Sequence, residues 1–240
     1  MSRRGDQLRF SDADWLRLIR GGCHVLVLAD VVQVLAVIAE VMRLAGQLSP
    51  MLILADAITV GGIWLITRPD PSGRGEASYG RARRLTRVLA VVTACATTFV
   101  TLTEFTFALP PTLHVGFDAV YVAAGACAVV GVRLAYVYFR GLVMRIPSLP
   151  LAMRARTIGN AMAIVQGMLV AYAAVLFVTQ ARGVAIPMGG PMIVFTCGGL
   201  IALILLVILI VAEMGFLVTL AGSITRQLET ASAADSPRNP

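Results

Sequence analysis

Thirty consecutive residues near the C-terminus, from Gly183 to Ala212, carry no charged side chain. A stretch of this length is long enough to cross the hydrocarbon layer of a bilayer, which takes about 20 apolar residues. The mean hydropathy of the chain is +0.83, and 14% of its residues are charged. Ordinary soluble proteins contain about 25% charged residues. The sequence therefore predicts an all-α, polytopic transmembrane helix bundle.

Breaks rich in proline and glycine divide the chain into apolar segments of about 20 residues each. We predict a cytoplasmic arm with an interfacial helix over residues 1–21, a transmembrane domain over 22–222 and a disordered cytoplasmic tail over 223–240. The six predicted spans are residues 22–44, 48–67, 87–108, 115–139, 158–180 and 191–213.

The positions of the arginines predict the orientation. All 20 basic residues are arginine, and 18 of them fall in the terminal segments and in the connections on one side of the six-span arrangement. Only Arg43 and Arg182 remain for the other side. Because basic residues are retained on the cytoplasmic side, we expect a multi-pass protein of the inner (plasma) membrane with both termini cytoplasmic. The arginines are expected to contact anionic lipid headgroups, and no nucleic-acid partner is expected.

The sequence contains no recognisable catalytic or cofactor-binding motif. A retinal or pyridoxal Schiff base needs a lysine, which this chain lacks. The two histidines, His24 and His114, fall at opposite sides of the predicted membrane, which disfavours a bis-histidine haem site. The four cysteines have no metal-ligand spacing. We expect no catalysis, no cofactor and no metal.

Ionisable residues inside the spans are the best indication of a functional site, because a charge in hydrocarbon is costly. Asp30, Asp56 and Arg133 fall at compatible depths of the first, second and fourth spans. We predict that these three residues form an intramembrane charge cluster. The other acidic residues in the spans are predicted to reach headgroups or water from helix ends: Glu40, Glu104, Asp118 and Glu213.

Two interpretations of the predicted cluster remain open. It is either a charge-compensated structural pin or a site where an aspartate exchanges a proton or a cation during transport. Gln33 and Glu40 share one helix face with Asp30, which predicts a polar stripe running toward the outer surface. Such a stripe is needed for conduction but also occurs at buried helix contacts.

Small residues recur every four positions along the fourth span. This spacing places them on one face of the helix, where they allow close approach of a neighbouring helix. We predict a helix-packing ridge made of Ala119, Ala123, Cys127, Gly131 and Ala135.

Two segments resemble uncharacterised bacterial six-span integral membrane proteins: residues 62–73, which include Arg68-Pro69-Asp70-Pro71, and residues 138–156. The resemblance implies no activity. We therefore expect a non-catalytic structural or assembly component, either a subunit of a larger membrane complex or a homo-oligomer. The alternative is a small proton- or cation-coupled transporter or conduit that uses the intramembrane carboxylates, and a lipid-modifying enzyme ranks third.

Overall fold

The computed structural model describes residues 13–41, 49–71, 73, 76–106, 111–145, 148–182 and 190–235. Within these ranges the chain forms six α-helices, so the predicted all-helical class is confirmed. The helices are α1 (Ala13–Val41), α2 (Ser49–Ile66), α3 (Glu76–Thr106), α4 (Pro111–Arg145), α5 (Leu149–Ala181) and α6 (Gly190–Asp235).

The six helices form a closed ring in chain order. Each helix packs against the next one in the sequence, and α6 packs against α1 to close the ring. Short connections favour this order because they place consecutive helices antiparallel and side by side. The N-terminus of α1, the α2–α3 connection, the α4–α5 turn and the C-terminus of α6 consequently meet at one end of the ring, which we call the arginine-rich end.

Local sequence explains where several helices begin and end. The α2 helix stops at Ile66, shortly before Pro69 and Pro71, because proline lacks the N–H that a continuing helix needs. The connection then turns back through a hydrogen bond from the Gly73 N–H to the Asp70 carbonyl (3.0 Å), with Gly73 at a φ of 67°. This φ suits glycine, which has no Cβ to clash. The α4 helix begins at Pro111, where a missing N–H costs nothing.

The two halves of the ring are packed differently. Large side chains are buried in the half at the arginine-rich end, including Ile19, Tyr136, Tyr138, Phe216 and Leu220. In the opposite half the buried side chains are mostly small: Ala36, Ala55, Val100, Ala124 and Ala202. One half therefore has the aromatic and aliphatic core of a water-soluble domain, and the other has the small-residue contacts typical of helices in lipid.

Five helices contain segments long and apolar enough to cross a membrane, and α2 contributes a shorter apolar helix, Met51–Ile66. Membrane and transmembrane character is thus supported. Two predicted boundaries need correction. The α1 helix is continuous from Ala13, so residues 13–21 belong to the same helix as the first predicted span and do not form a separate helix. The α6 helix continues to Asp235, so residues 223–235 of the predicted disordered tail are helical.

Candidate functional site

The three residues of the predicted charge cluster have different surroundings. Asp30 on α1 is half-buried, Asp56 on α2 accepts a hydrogen bond from the Thr97 hydroxyl on α3, and Arg133 on α4 has an exposed side chain. Among the described residues, no ion pair joins Arg133 to either aspartate. The structure therefore does not bring the three residues together as an ion-paired pin.

Asp30 instead faces a second carboxyl group. Glu213 on α6 lies close enough to Asp30 for direct electrostatic interaction. The phenol of Tyr136 on α4 interacts with both carboxyl groups. Helices from three positions around the ring thus place one phenol and two carboxyls together, and we call Asp30, Tyr136 and Glu213 the carboxyl site.

Tyr136 is held rigidly in the carboxyl site. Its side chain is 2% exposed, and its ring packs edge-on to Phe139, with ring centroids 5.6 Å apart. Phe216 of α6 packs on the other side at 6.1 Å. A Cβ at Gly159 of α5 would clash with the Tyr136 side chain, so the glycine allows α5 to lie directly against it. The phenol position is fixed by contacts from its own helix, α5 and α6.

One polar atom of the carboxyl site, Oδ2 of Asp30, is buried without a hydrogen-bond partner, while the Tyr136 hydroxyl interacts with the Glu213 carboxyl. Buried polar atoms in proteins are nearly always hydrogen-bonded, because an unmade bond costs about 1–3 kcal/mol. Neither carboxyl group has a basic partner among the described residues. The site therefore offers one unused carboxyl oxygen and two uncompensated acidic groups to a proton or a small cation.

Sequence reasoning missed two members of this site. Glu213 was expected to reach headgroups or water from a helix end, but the structure directs it toward α1 and α4. Tyr136 was not singled out at all. A signal for Glu213 was present, because it directly follows the longest uncharged run of the chain. Tyr136 had no comparable signal, since aromatic clusters such as Tyr136, Tyr138 and Phe139 are common near the ends of membrane spans.

The remaining polar positions lie on the outer side of the carboxyl site. Gln33 is half-buried one turn along α1 from Asp30, while the side chain of Glu40 lies outside the described residues. Close contacts of Gly22 with Ile66 and of Gly62 with Leu26 fix the register of α1 and α2, which places Asp56 opposite residue 32. Asp30, Gln33 and the Asp56–Thr97 pair thus follow one another along neighbouring helices.

The five residues of the predicted packing ridge on α4 do not all pack against one neighbouring helix. A Cβ at Gly131 would lie 3.4 Å from the Leu89 Cβ of α3, and Ala135 packs against the buried core. Ala119 and Cys127 are half-buried, whereas Ala123 is exposed. A close approach of α4 to α5 in this half of the ring involves Gly125, whose added Cβ would lie 2.9 Å from Val170, and this glycine is outside the ridge.

The α2–α3 connection is embedded in the arginine-rich end. Carbonyl groups at the end of a helix have no partner within that helix. Here three other helices supply donors to the last carbonyl of α2 and to the two carbonyls that follow it. The Tyr138 hydroxyl donates to the Ile66 carbonyl (2.7 Å), the Trp15 indole to the Arg68 carbonyl (3.2 Å), and the Arg87 guanidinium to the Thr67 carbonyl (2.7 Å).

A buried ion pair completes this connection. The Arg145 guanidinium, at the end of α4, donates to the Asp70 carboxylate, and both side chains are at most 8% exposed. Arg145 also lies 3.5 Å from the Tyr79 hydroxyl and over the Trp15 ring. These contacts join α1, α3 and α4 to the connection, so Arg145 and Asp70 have a structural role that the sequence analysis did not predict.

Within the described ranges, no group of three or more His, Cys, Asp or Glu side chains is placed to hold a metal ion. Comparisons with protein-family models, with curated proteins and with solved structures produced no match to this chain. The functional assignment therefore depends on the geometry of the chain itself.

Proposed function

We propose that the hydrocarbon layer covers the small-residue half of the ring, with its boundary near Trp64, Arg87 and Arg133. Arg87 lies over the Trp64 ring at 4.4 Å, and tryptophan and arginine are typical of membrane interfaces. From this level, residues 88–106 of α3 rise about 28 Å at 1.5 Å per residue, close to the hydrocarbon thickness of about 30 Å. The core of large side chains then lies in a helical layer outside the hydrocarbon, at the arginine-rich end, which we call the cytoplasmic layer.

Exposed side chains support this boundary. The large exposed side chains of the small-residue half are mostly aliphatic or aromatic, for example Leu35, Phe99 and Ile201. The exposed charged side chains among the described residues lie at the boundary or toward the arginine-rich end, except Arg182. We therefore propose six spans with the arginine-rich end in the cytoplasm of a bacterium, in agreement with the excess of arginine there.

We propose that the protein is a small proton- or cation-coupled transporter whose coupling site is the carboxyl site. The observation that carries this proposal is the facing pair Asp30 and Glu213, which has no basic partner among the described residues. Two carboxylates this close in a low-dielectric interior repel one another and are poorly solvated. Uptake of one proton or one monovalent cation relieves both costs.

The position of the carboxyl site favours exchange with the cytoplasm. Tyr136 lies three residues beyond the exposed Arg133 in the direction of the arginine-rich end, about 4.5 Å along the helix axis. This end of the carboxyl site is therefore close to the cytoplasm. On the other side, Gln33 and the Asp56–Thr97 pair extend the polar positions outward. The sequence-based interpretation of a transport site is thereby kept, but with Glu213 and Tyr136 in place of Arg133.

Flux measurements in proteoliposomes test this function. We expect the parent protein to collapse an imposed pH or cation gradient faster than empty vesicles, as reported by an internal dye. Asp30→Asn and Glu213→Gln should each lower that rate at least about tenfold, a typical loss when an essential proton-transfer group is removed. Asp14→Asn, an exposed carboxyl in the cytoplasmic layer, is the matched control and should leave the rate unchanged.

A second candidate function is the non-catalytic structural or assembly component expected from the sequence. The α2–α3 connection favours it, because three helices donate hydrogen bonds to this one short segment. Parent protein that collapses no proton, sodium or potassium gradient, while remaining folded, would exclude the transport proposal and leave this one.

A further inference from the structure

An apolar patch on the cytoplasmic layer carries an inference about a binding partner. The side chains of Met144, Leu149 and Met153 are 57%, 64% and 64% exposed, and Pro150 beside them is also exposed. Methionine is flexible and polarisable, and it is used often at surfaces that bind apolar helices. We call these four residues the methionine patch.

The methionine patch is continuous across two helices. The contacts of Gly159 with Tyr136 and of Gly125 with Val170 fix the antiparallel register of α4 and α5, which places Met144 opposite residue 151. The outward faces of the two helices therefore meet at the patch. Three exposed arginines lie on the same helices within one turn of it: Arg140, Arg154 and Arg156. An apolar surface with a basic rim results.

Lipid is a poor occupant for the methionine patch. Met144 lies eleven residues beyond Arg133 on α4, about 16 Å along the helix axis. The headgroup region extends only about 5–8 Å beyond the hydrocarbon on each side of a bilayer. With the boundary proposed above, on which this inference depends, the patch faces the cytoplasm.

The chain itself supplies no complementary occupant. A second copy carries a net charge of +7 and would bring like charges to the rim. Residues 1–12 contain three arginines and two aspartates, so they are basic as well. Residues 231–240 contain no Leu, Ile, Val, Phe or Met to fill an apolar surface.

We propose that the methionine patch docks an acidic amphipathic helix of another cytoplasmic protein or subunit. Apolar side chains at helical spacing would contact Met144, Leu149 and Met153, and flanking carboxylates would pair with the rim arginines. Recognition of this kind combines apolar burial with charge steering, as in other helix-binding surfaces. The proposal gives a chemical identity to the partner of an assembly component and is independent of the carboxyl site.

Site-specific photocrosslinking in intact cells of the native host tests the proposal. A benzoylphenylalanine residue at position 153 should form an adduct with a second protein, and the crosslinked segment should be acidic and apolar at i, i+3 or i+4, and i+7. The same probe at Val88, an exposed position in the proposed hydrocarbon, is the control and should give lipid adducts only. Arg154→Glu with Arg156→Glu should lower the protein adduct at least about tenfold, because the rim charge is reversed.

Three outcomes would overturn the proposal. Lipid adducts from position 153 would place the patch in the membrane, and adducts to a second copy would make it a homo-oligomer contact. A yield at position 153 no higher than for unirradiated cells would show that nothing occupies the patch. A melting temperature equal to that of the parent protein confirms that each variant is folded, since all the altered side chains are exposed.

Discussion

At the scale of single residues, the buried polar groups fall into two classes that differ in compensation. Asp70 and Arg145 neutralise one another, and the nearby carbonyl groups of Ile66 and Thr67 each receive a donor from another helix. Asp30 and Glu213 face one another with no basic partner among the described residues. A compensated pair stabilises one conformation, whereas an uncompensated pair changes its energy whenever a proton or cation binds.

The compensated pair gives a stability prediction. Arg145→Leu should lower the free energy of unfolding by about 3–5 kcal/mol, because Asp70 would remain buried without its counter-charge. Combining it with Asp70→Asn should recover a large part of the loss. Unfolding in detergent, followed by circular dichroism, measures both effects.

The exposed pair Asp14 and Arg17 provides the control for this prediction. Both side chains are more than half exposed, and their ion pair joins residues three apart on one helix. Arg17→Leu should therefore change stability by less than about 0.5 kcal/mol. If Arg145→Leu is no more destabilising than Arg17→Leu, the buried pair contributes nothing to the anchoring of the α2–α3 connection.

At the scale of helices, glycine sets the closeness of α1 and α2. A Cβ at Gly62 would lie 2.6 Å from the Leu26 Cδ2 and 3.2 Å from its backbone nitrogen. A Cβ at Gly22 would meet Ile66 of α2 at 2.6 Å. Each helix thus contributes one glycine, and each glycine receives a large side chain of the other helix. These two contacts fix the relative axial positions of α1 and α2, and so bring Asp30 and Asp56 to similar levels.

Two adjacent glycines of α2 provide a matched test of this contact. Gly62→Ala should destabilise the protein by about 1–3 kcal/mol, because the added methyl group overpacks the α1–α2 interface. Gly61→Ala meets no atom within 4 Å and should stabilise α2 by about 0.5–1 kcal/mol, since alanine is the better helix former. Thermal unfolding of the two variants in the same detergent would show opposite shifts. Shifts of equal sign and size would place the close contact elsewhere.

At the scale of the whole molecule, the ring is divided into a half packed like a soluble domain and a half packed like a membrane bundle. Water drives large apolar side chains into a core, whereas lipid gives them no such preference. The buried aromatic side chains therefore lie toward the arginine-rich end, and the large exposed side chains elsewhere are aliphatic or aromatic. This division is the basis for the proposed membrane boundary.

Reporter fusions test the proposed orientation of the ring. A reporter fused after Arg84 or after Arg156 should be active in the cytoplasm, and a reporter fused after Thr112 should be active outside, because the arginine-rich connections are retained inside. Alkaline phosphatase and green fluorescent protein fusions measure the two locations in parallel. An external signal after Arg84 would contradict both the six spans and the cytoplasmic placement of the methionine patch.

Sequence alone determined the helical, multi-pass class and the approximate position of every helix. Uncharged runs of about 20 residues have few stable alternatives to a membrane helix, and proline-rich breaks separate them. Local patterning was less informative about helix ends: α6 continues to Asp235, and the first part of the predicted tail packs Ile224 and Leu228 against the core. Packing with other helices stabilised a segment whose composition suggested disorder.

Only the tertiary structure decided which charges meet. Depth along a helix follows from residue number, so the similar levels of Asp30 and Asp56 were predictable at 1.5 Å per residue. Which neighbour a side chain faces depends on helix rotation and on the order of helices around the ring, and neither quantity is local. Closure of the ring by α6 against α1 therefore brings Glu213 to Asp30, whereas Arg133, at a compatible depth, has an exposed side chain on the surface of α4.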